Sequence, residues 1–172
     1  MTALSGAPEC QRIRLRGELF SLLSWGNPAD ATLFLLHGFP DSPQSFHPMA
    51  SALAQRGFYV VAPWMRGYLP SPASAPEGAE QLVQDTLALI EHYGVDPGSA
   101  LIGHDWGAIV AGWTLRRAPE LGLNSVSMAV PALCYWSPHD LAQLRQWWRS
   151  AYMLFFLIPR LPEALFAAGE EW

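Results

Sequence analysis

The sequence predicts an α/β fold in which a mostly parallel sheet carries helices on both faces. Short continuous apolar runs alternate along the chain with longer segments of helical spacing, which is the pattern of successive βαβ units. Such units connect through right-handed crossovers, and their ligands bind at the carboxyl ends of the strands. The segments 37–41, 63–78 and 103–107 follow predicted strands, so we expect them to lie at one edge of the sheet.

Local patterns define each element in turn. Short apolar or alternating runs bounded by turn residues predict strands over 11–15, 18–25, 32–36, 58–62, 100–103 and 125–130. Apolar residues three and four positions apart predict helices over 45–56, 79–93 and 108–117. Gly57 and Gly94 are typical ends for the first two helices. The stretch 63–78 is rich in Pro and Ser and is predicted to be a loop.

The alternating pattern changes after Pro131. Residues 138–156 and 162–171 have a helical character, and the first segment is crowded with aromatic side chains. We therefore predict two parts: residues 1–131 as the N-terminal part of the core, and residues 132–172 as the incomplete start of a helical cap. The apolar run 151–158 is far shorter than the roughly 20 residues that span a membrane, so we predict no membrane association.

Composition narrows the classes of function. The 172 residues carry a net charge of −5, whereas nucleic-acid binding needs basic residues that neutralise phosphates, so we predict no nucleic-acid partner. The first nine residues show neither a basic leader nor an apolar core segment. Cys10 and Cys134 have no metal-like spacing and give no reason to expect a disulfide. We accordingly expect a cytoplasmic protein with no metal and no other cofactor.

The most informative motif is Gly103-His104-Asp105-Trp106-Gly107, between a predicted strand and a predicted helix. This context is typical of a nucleophile elbow, a sharp turn that raises one side chain above the sheet. Asp105 at its centre is ionised at neutral pH and needs no base to attack an electrophile. The alternative is that Asp105 caps the following helix, a position that aspartate also favours. We expect His104 to point away from the nucleophile.

Three ordered motifs resemble those of α/β-hydrolases of the epoxide hydrolase type. They are His37-Gly38-Phe39-Pro40-Asp41, Arg66-Gly67-Tyr68 and the pentapeptide around Asp105. The resemblance spans residues 12–172 and implies the α/β-hydrolase fold. It also implies that a base histidine and an acid follow further along the chain than Trp172, so that the chain is a C-terminally truncated member.

The resemblance implies a role for each site residue. Asp105 is expected to be the nucleophile, and the backbone N–H groups of Phe39 and Trp106 are expected to form the oxyanion hole. Tyr152 is the expected proton donor from the cap. The structural loop is expected to consist of His37, Gly38 and Pro40, with a cis peptide bond between Phe39 and Pro40.

The implied reaction opens a small apolar epoxide to a diol through an alkyl ester on Asp105. Haloalkane dehalogenases are an alternative, because they also carry Trp after an elbow Asp, but they typically have Asn where this chain has Phe39. A second alternative is a non-catalytic half that associates with a partner chain. The last histidine is His139. We therefore expect no multiple turnover from these residues alone, and either self-association or binding of a complementary C-terminal half.

Overall fold

The computed structural model of the chain describes residues 6–74, 76, 78–130 and 158. The strands in this part are β1 (Glu9–Leu15), β2 (Glu18–Trp25), β3 (Ala31–Leu36), β4 (Phe58–Pro63), β5 (Ala100–His104) and β6 (Asn124–Met128). The α-helices are α1 (His47–Ala54), α2 (Ala79–Tyr93) and α3 (Trp106–Arg117). Short 3-10 helices cover Pro43–Phe46 and Pro119–Leu121.

The described strands form one sheet in the order β1-β2-β4-β3-β5-β6. β3 pairs in parallel with β4 and with β5, and β5 pairs in parallel with β6. The β1-β2 hairpin joins antiparallel to β4. This confirms the predicted mostly parallel sheet. The carboxyl ends of β3, β4 and β5 consequently lie along one edge, where the three motif-bearing segments begin.

Side chains of β3 alternate between two apolar layers. Phe34 and Leu36 belong to the cluster that contains residues of α2 and α3. Leu33 and Leu35 belong to the cluster that contains residues of α1. Because helices cover both faces, β3 is apolar along nearly its whole length, as is typical of a buried parallel strand. The predicted helices on both faces are confirmed.

The first helix differs most from its prediction. The predicted span 45–56 begins within a 3-10 helix, and the α-helix covers only His47–Ala54. Pro48 explains the late start, because a residue without an N–H group fits the first turn of an α-helix and disrupts its interior. The other elements have the predicted type, with shifts of a residue or two at some ends; Pro63, for example, closes β4.

Several predictions fall on residues outside the described part. They include the boundary between residues 131 and 132, the cap segments, Cys134 and Tyr152. Cys10 is exposed on β1.

Candidate active site

Asp105 lies at the turn between β5 and α3, at the carboxyl edge of the sheet. Its backbone has φ 53° and ψ −120°. A positive φ is uncommon for a residue with a Cβ atom, and aspartate adopts it more often than most. This strained strand-to-helix turn has the backbone geometry of a nucleophile elbow, as the pentapeptide predicts.

The two glycines of the pentapeptide allow α3 to approach the sheet closely. A Cβ atom on Gly107 would lie 2.0 Å from the carbonyl oxygen of Leu36 in β3. A Cβ atom on Gly103 would lie 2.3 Å from the carbonyl oxygen of Gly107. Any side chain at either position would collide with backbone atoms, so packing requires glycine at both.

The carboxylate of Asp105 faces the loop that follows β3. The backbone N–H of Phe39 donates a hydrogen bond to Asp105 Oδ1 at 3.1 Å. Gly38 also lies close to this carboxylate, since a Cβ atom added there would be 2.5 Å from the same oxygen. Asp105 occupies the N-cap position of α3, yet its side chain makes no capping hydrogen bond. The side chain of Asp105 therefore does not cap α3, and its carboxylate is bound instead by the loop after β3.

The structure places both predicted oxyanion-hole residues beside this carboxylate. Phe39 provides the N–H that contacts Oδ1, and Trp106 follows Asp105 as the first residue of α3. Amides in a first helical turn have no partner within the helix. The Phe39–Pro40 bond is cis, as predicted. Phe39 and Trp106 are exposed residues, with 44% and 51% of their surfaces accessible.

His37 lies beneath the loop, and its side chain is fully buried. Its Nε2 atom accepts a hydrogen bond from the backbone N–H of Met65 at 3.1 Å, and its Nδ1 atom lies 2.9 Å from the carbonyl oxygen of Gly38. Burial lowers the pKa of His37, which favours the neutral ring that these contacts require. His37 thus bridges the loop after β3 and the loop after β4.

His104 contacts a second carboxylate near the elbow. Its Nδ1 atom lies 3.8 Å from Asp41 Oδ2. Asp41 Oδ1 in turn accepts hydrogen bonds from the backbone N–H of Ser42, at 2.7 Å, and from the hydroxyl of Ser45. The polar contact of His104 is thus with the Asp41 loop.

An ion-pair cluster beneath the loop after β4 was not predicted. Arg66 Nε lies 2.7 Å from Asp85 Oδ2, and Arg66 Nη2 pairs with Glu18 and with Asp85 Oδ1. Arg16 adds a contact of 2.9 Å to Asp85. Hydrogen bonding to Asp85 and Glu18 raises the pKa of Arg66, and the bond from Arg66 lowers the pKa of Glu18. Asp85 is buried on α2.

Two local signals accompany this cluster. Arg66 follows an apolar pair in its loop, and Asp85 interrupts a helix with an apolar face. Each signal alone is weak, because a charged residue in a loop or on a helix is usually solvated. Only the fold brings the two residues together.

The remaining predictions concern ligands and the cap. Tyr152, the expected proton donor, lies outside the described residues. Within the described part, no group of three or more His, Cys, Asp and Glu side chains is arranged to hold a metal ion. None of the helices described is long and apolar enough to cross a membrane.

The chain is similar to proteins named as epoxide hydrolases and hydrolases. It is 32% identical to epoxide hydrolase A of Mycobacterium tuberculosis, over 92% of this chain and 51% of that protein. It is 30% identical to an AB hydrolase superfamily protein of Bacillus subtilis, over 91% of this chain and 55% of that protein. A crystal structure of an epoxide hydrolase from Vigna radiata superposes with a TM-score of 0.73 at 30% identity, covering 95% of this chain and 54% of that chain. The chain spans about half the length of these relatives.

A family model also matches the chain directly. The model is described as the alpha/beta hydrolase fold and matches residues 31–161, which is more than half of the chain. The matched region contains all three motifs, and the sheet order and elbow geometry described above agree with it. The chain therefore belongs to the α/β-hydrolase fold family.

Proposed function

We propose that this chain carries the nucleophilic half of an epoxide hydrolase, with Asp105 as the attacking carboxylate. The observation that supports this most directly is the hydrogen bond from the Phe39 N–H to Asp105 Oδ1 at the elbow. In this proposal the N–H binds one carboxylate oxygen, and the second oxygen makes the attack. The epoxide hydrolases among the relatives support an epoxide as the substrate.

The first step is alkylation of Asp105. One carboxylate oxygen attacks an epoxide carbon, and the bond between that carbon and the ring oxygen breaks. The ring oxygen leaves as an alkoxide and takes up a proton, for which we propose the hydroxyl of Tyr152 as the source. The product is a neutral hydroxyalkyl ester on Asp105.

The second step is hydrolysis of the ester. Water attacks the carbonyl carbon, and negative charge develops on the oxygen that the Phe39 N–H contacts. That N–H, with the Trp106 N–H as the proposed second donor, stabilises this charge. The acyl C–O bond then breaks, and the leaving oxygen takes up the remaining proton of the attacking water, which releases the diol and restores the carboxylate. The other proton of that water restores the Tyr152 phenol that was ionised in the first step. A base must take a proton from the water, and we assign this role to none of the described histidines, so we expect these residues alone to stop at the ester.

A haloalkane dehalogenase is the second candidate. The Trp106 side chain, directly after Asp105, is half exposed, and an indole N–H in that place can bind a departing halide. Parallel incubations with a terminal epoxide and with a primary alkyl chloride distinguish the two candidates. An epoxide hydrolase is expected to form the Asp105 ester from the epoxide, whereas a haloalkane dehalogenase is expected to form it from the alkyl chloride and to release chloride.

A non-catalytic half that binds a partner chain is the third candidate. β6 is an edge of the described sheet, and Val126 on it and Trp113 on α3 are each 48% exposed. Exposed strand edges with apolar side chains favour pairing with another chain. A stable complex whose Asp105 does not react with electrophiles favours this candidate.

Intact-protein mass spectrometry after incubation with a styrene-oxide-type epoxide tests the proposal. We expect a single adduct that fragmentation maps to Asp105 and that persists. Asp105→Asn keeps a residue that tolerates the elbow backbone but has no nucleophilic carboxylate, so it is expected to form no adduct.

Asp96→Asn is the matched control, because Asp96 is an exposed carboxylate away from the elbow. This variant is expected to form the adduct as the parent chain does. The proposal would be contradicted if Asp105→Asn protein still forms an adduct, or if the folded parent chain forms none. Release of more than one equivalent of diol per chain would show that the residues present also supply a base.

A further inference from the structure

One peptide unit carries the contact with Asp105. Its N–H belongs to Phe39 and its C=O belongs to Gly38, and the bond is trans. In a planar trans peptide the N–H and the C=O point in opposite directions. The groups that bind the Gly38 carbonyl oxygen therefore set the direction of the N–H that donates to Asp105 Oδ1.

Three groups lie within hydrogen-bond distance of the Gly38 carbonyl oxygen. His37 Nδ1 lies at 2.9 Å, the backbone N–H of Asp41 at 3.2 Å, and the hydroxyl of Tyr68 at 3.4 Å. The two side chains also support each other, since their rings meet edge to face with centroids 4.7 Å apart. A buried histidine and a partly buried tyrosine thus enclose one carbonyl oxygen.

The contacts of His37 fix its tautomer. The Met65 N–H can only donate, so Nε2 accepts and carries no hydrogen. In the neutral ring the hydrogen is then on Nδ1, and the Gly38 oxygen can only accept it. Tyr68 is a donor as long as its phenol is protonated, and burial together with the charges of Asp105 and Asp41 raises its pKa.

We propose that His37 and Tyr68 are positioning residues that orient and polarise the Gly38–Phe39 peptide, so that its N–H is directed at Asp105 Oδ1. Donors on a carbonyl oxygen strengthen the N–H of the same peptide, because hydrogen bonds in a chain polarise one another. The inference rests on the proposed function, in which this N–H stabilises charge on the Asp105 ester. It extends that function to two side chains that act through the backbone.

Tyr68→Phe is the main test, because it removes the hydroxyl and keeps the ring against His37. In protein labelled with 13C-glycine and 15N, we expect the Gly38 carbonyl carbon and the Phe39 amide proton to move upfield. In the epoxide-treated protein, we expect the Asp105 ester to form at nearly the parent rate. Its decay with imidazole added as an external base is expected to be about two- to fivefold slower, the effect of losing one neutral hydrogen bond.

Tyr93→Phe is the matched control, because the Tyr93 hydroxyl donates to Gln11 Oε1 elsewhere in the core. It is expected to leave the Gly38 and Phe39 resonances and the decay rate unchanged. Two substitutions then test His37. Asn retains an N–H group near the position of Nδ1, so His37→Asn is expected to keep the Gly38 resonance closer to that of the parent than His37→Leu does.

The outcomes separate this inference from the proposed function. Unchanged Gly38 and Phe39 resonances in folded Tyr68→Phe protein would overturn the inference, and they require no reaction with epoxide. An absent adduct in the parent chain, together with the expected resonance shifts, would count against the proposed function and leave the positioning of the peptide standing. If the His37 variants do not fold, the Tyr68→Phe result decides alone.

Discussion

Asp105, which is half-buried, and Asp85, which is buried, both have partners within the fold, yet these partners differ in kind. Asp85 is 6% exposed, binds the guanidinium of Arg66 through both oxygens, and has a further ion pair with Arg16. Within the described residues, the Asp105 side chain accepts a hydrogen bond from the neutral backbone N–H of Phe39. One carboxylate is paired with cations, whereas the other accepts a hydrogen bond from a neutral amide.

We propose that this difference separates a structural carboxylate from a reactive one. A guanidinium that binds both oxygens satisfies the carboxylate in geometry and in charge, and little nucleophilic character remains. An amide that binds one oxygen orients the group and leaves negative charge for an electrophile. The surroundings of the two residues, rather than their identity as aspartate, thus determine the role that we assign to each.

Removing the Asp85 carboxylate is expected to have the largest effect on stability. Asp85→Asn leaves the guanidinium of Arg66, whose side chain is 1% exposed, with Glu18 as its remaining anionic partner. Breaking a buried ion pair from one side destabilises a protein by about 3–5 kcal/mol. Urea denaturation is expected to show a loss of this order.

Glu80→Gln provides the comparison, because the Glu80–Arg117 pair is largely exposed. Exposed pairs contribute little, so the midpoint of this variant is expected to stay near that of the parent. An equal and small shift in both variants would contradict the structural role of the Asp85 cluster.

A methyl group at Gly38 is expected to affect the other carboxylate. A Cβ atom there would lie 2.5 Å from Asp105 Oδ1, so Gly38→Ala must displace the carboxylate or the loop. We expect a loss of about 1–3 kcal/mol in unfolding free energy, as for other overpacked sites, and a much slower formation of the Asp105 adduct. Denaturation and timed mass spectra measure the two effects.

Gly6→Ala is the control, since no atom lies within 4 Å of the position that its Cβ would take. Adduct formation at the parent rate in Gly38→Ala protein would show that the close approach of loop and elbow is unimportant for reactivity.

Acidification is expected to have the smallest effect. Burial holds the pKa of His37 below its ordinary value of 6.5, although the charge of Asp41 opposes this, and Tyr68 packs against the ring. As pH falls below 6.5, the unfolded state takes up a proton before the folded state does, so the unfolding free energy decreases until pH reaches the folded-state pKa. Above 6.5 this contribution is complete and constant.

Urea denaturation at steps between about pH 8 and pH 5 measures this slope, in a range where most carboxyl groups stay ionised. His37→Asn, which has no titrating ring at this position, is expected to lose the part of the slope that His37 contributes. An identical slope in parent and variant would show that His37 does not titrate differently in the two states.

Local patterns are sufficient to predict most of the described elements. β2 and α2 have the predicted ends, because turn residues bound the strand and a glycine ends the helix. The order of the strands could not be predicted, since the position of β4 between β2 and β3 results from pairing between distant segments. Burial of Arg66 could not be predicted either, because only its pairing with Asp85, 19 positions away, makes a buried guanidinium tolerable.

The elbow was predictable because its glycine spacing encodes a backbone shape. The hydrogen bonds that support the Gly38 carbonyl oxygen could not be predicted from the sequence. The tautomer of His37 depends on the N–H of Met65, and every residue except proline supplies such a group. A backbone partner therefore leaves no trace in the side-chain sequence.

Residue 39 contacts Asp105 through its backbone N–H, and the residue as a whole is 44% exposed. At this position the backbone therefore determines the contact with the carboxylate, whereas the side chain determines the chemical character of the surrounding surface. Substitution of the ring can alter which molecules the surface accepts, while the N–H that binds Asp105 stays in the chain. If Asp105 reacts as we propose, position 39 offers directed evolution a way to vary selectivity without redesigning the reactive group.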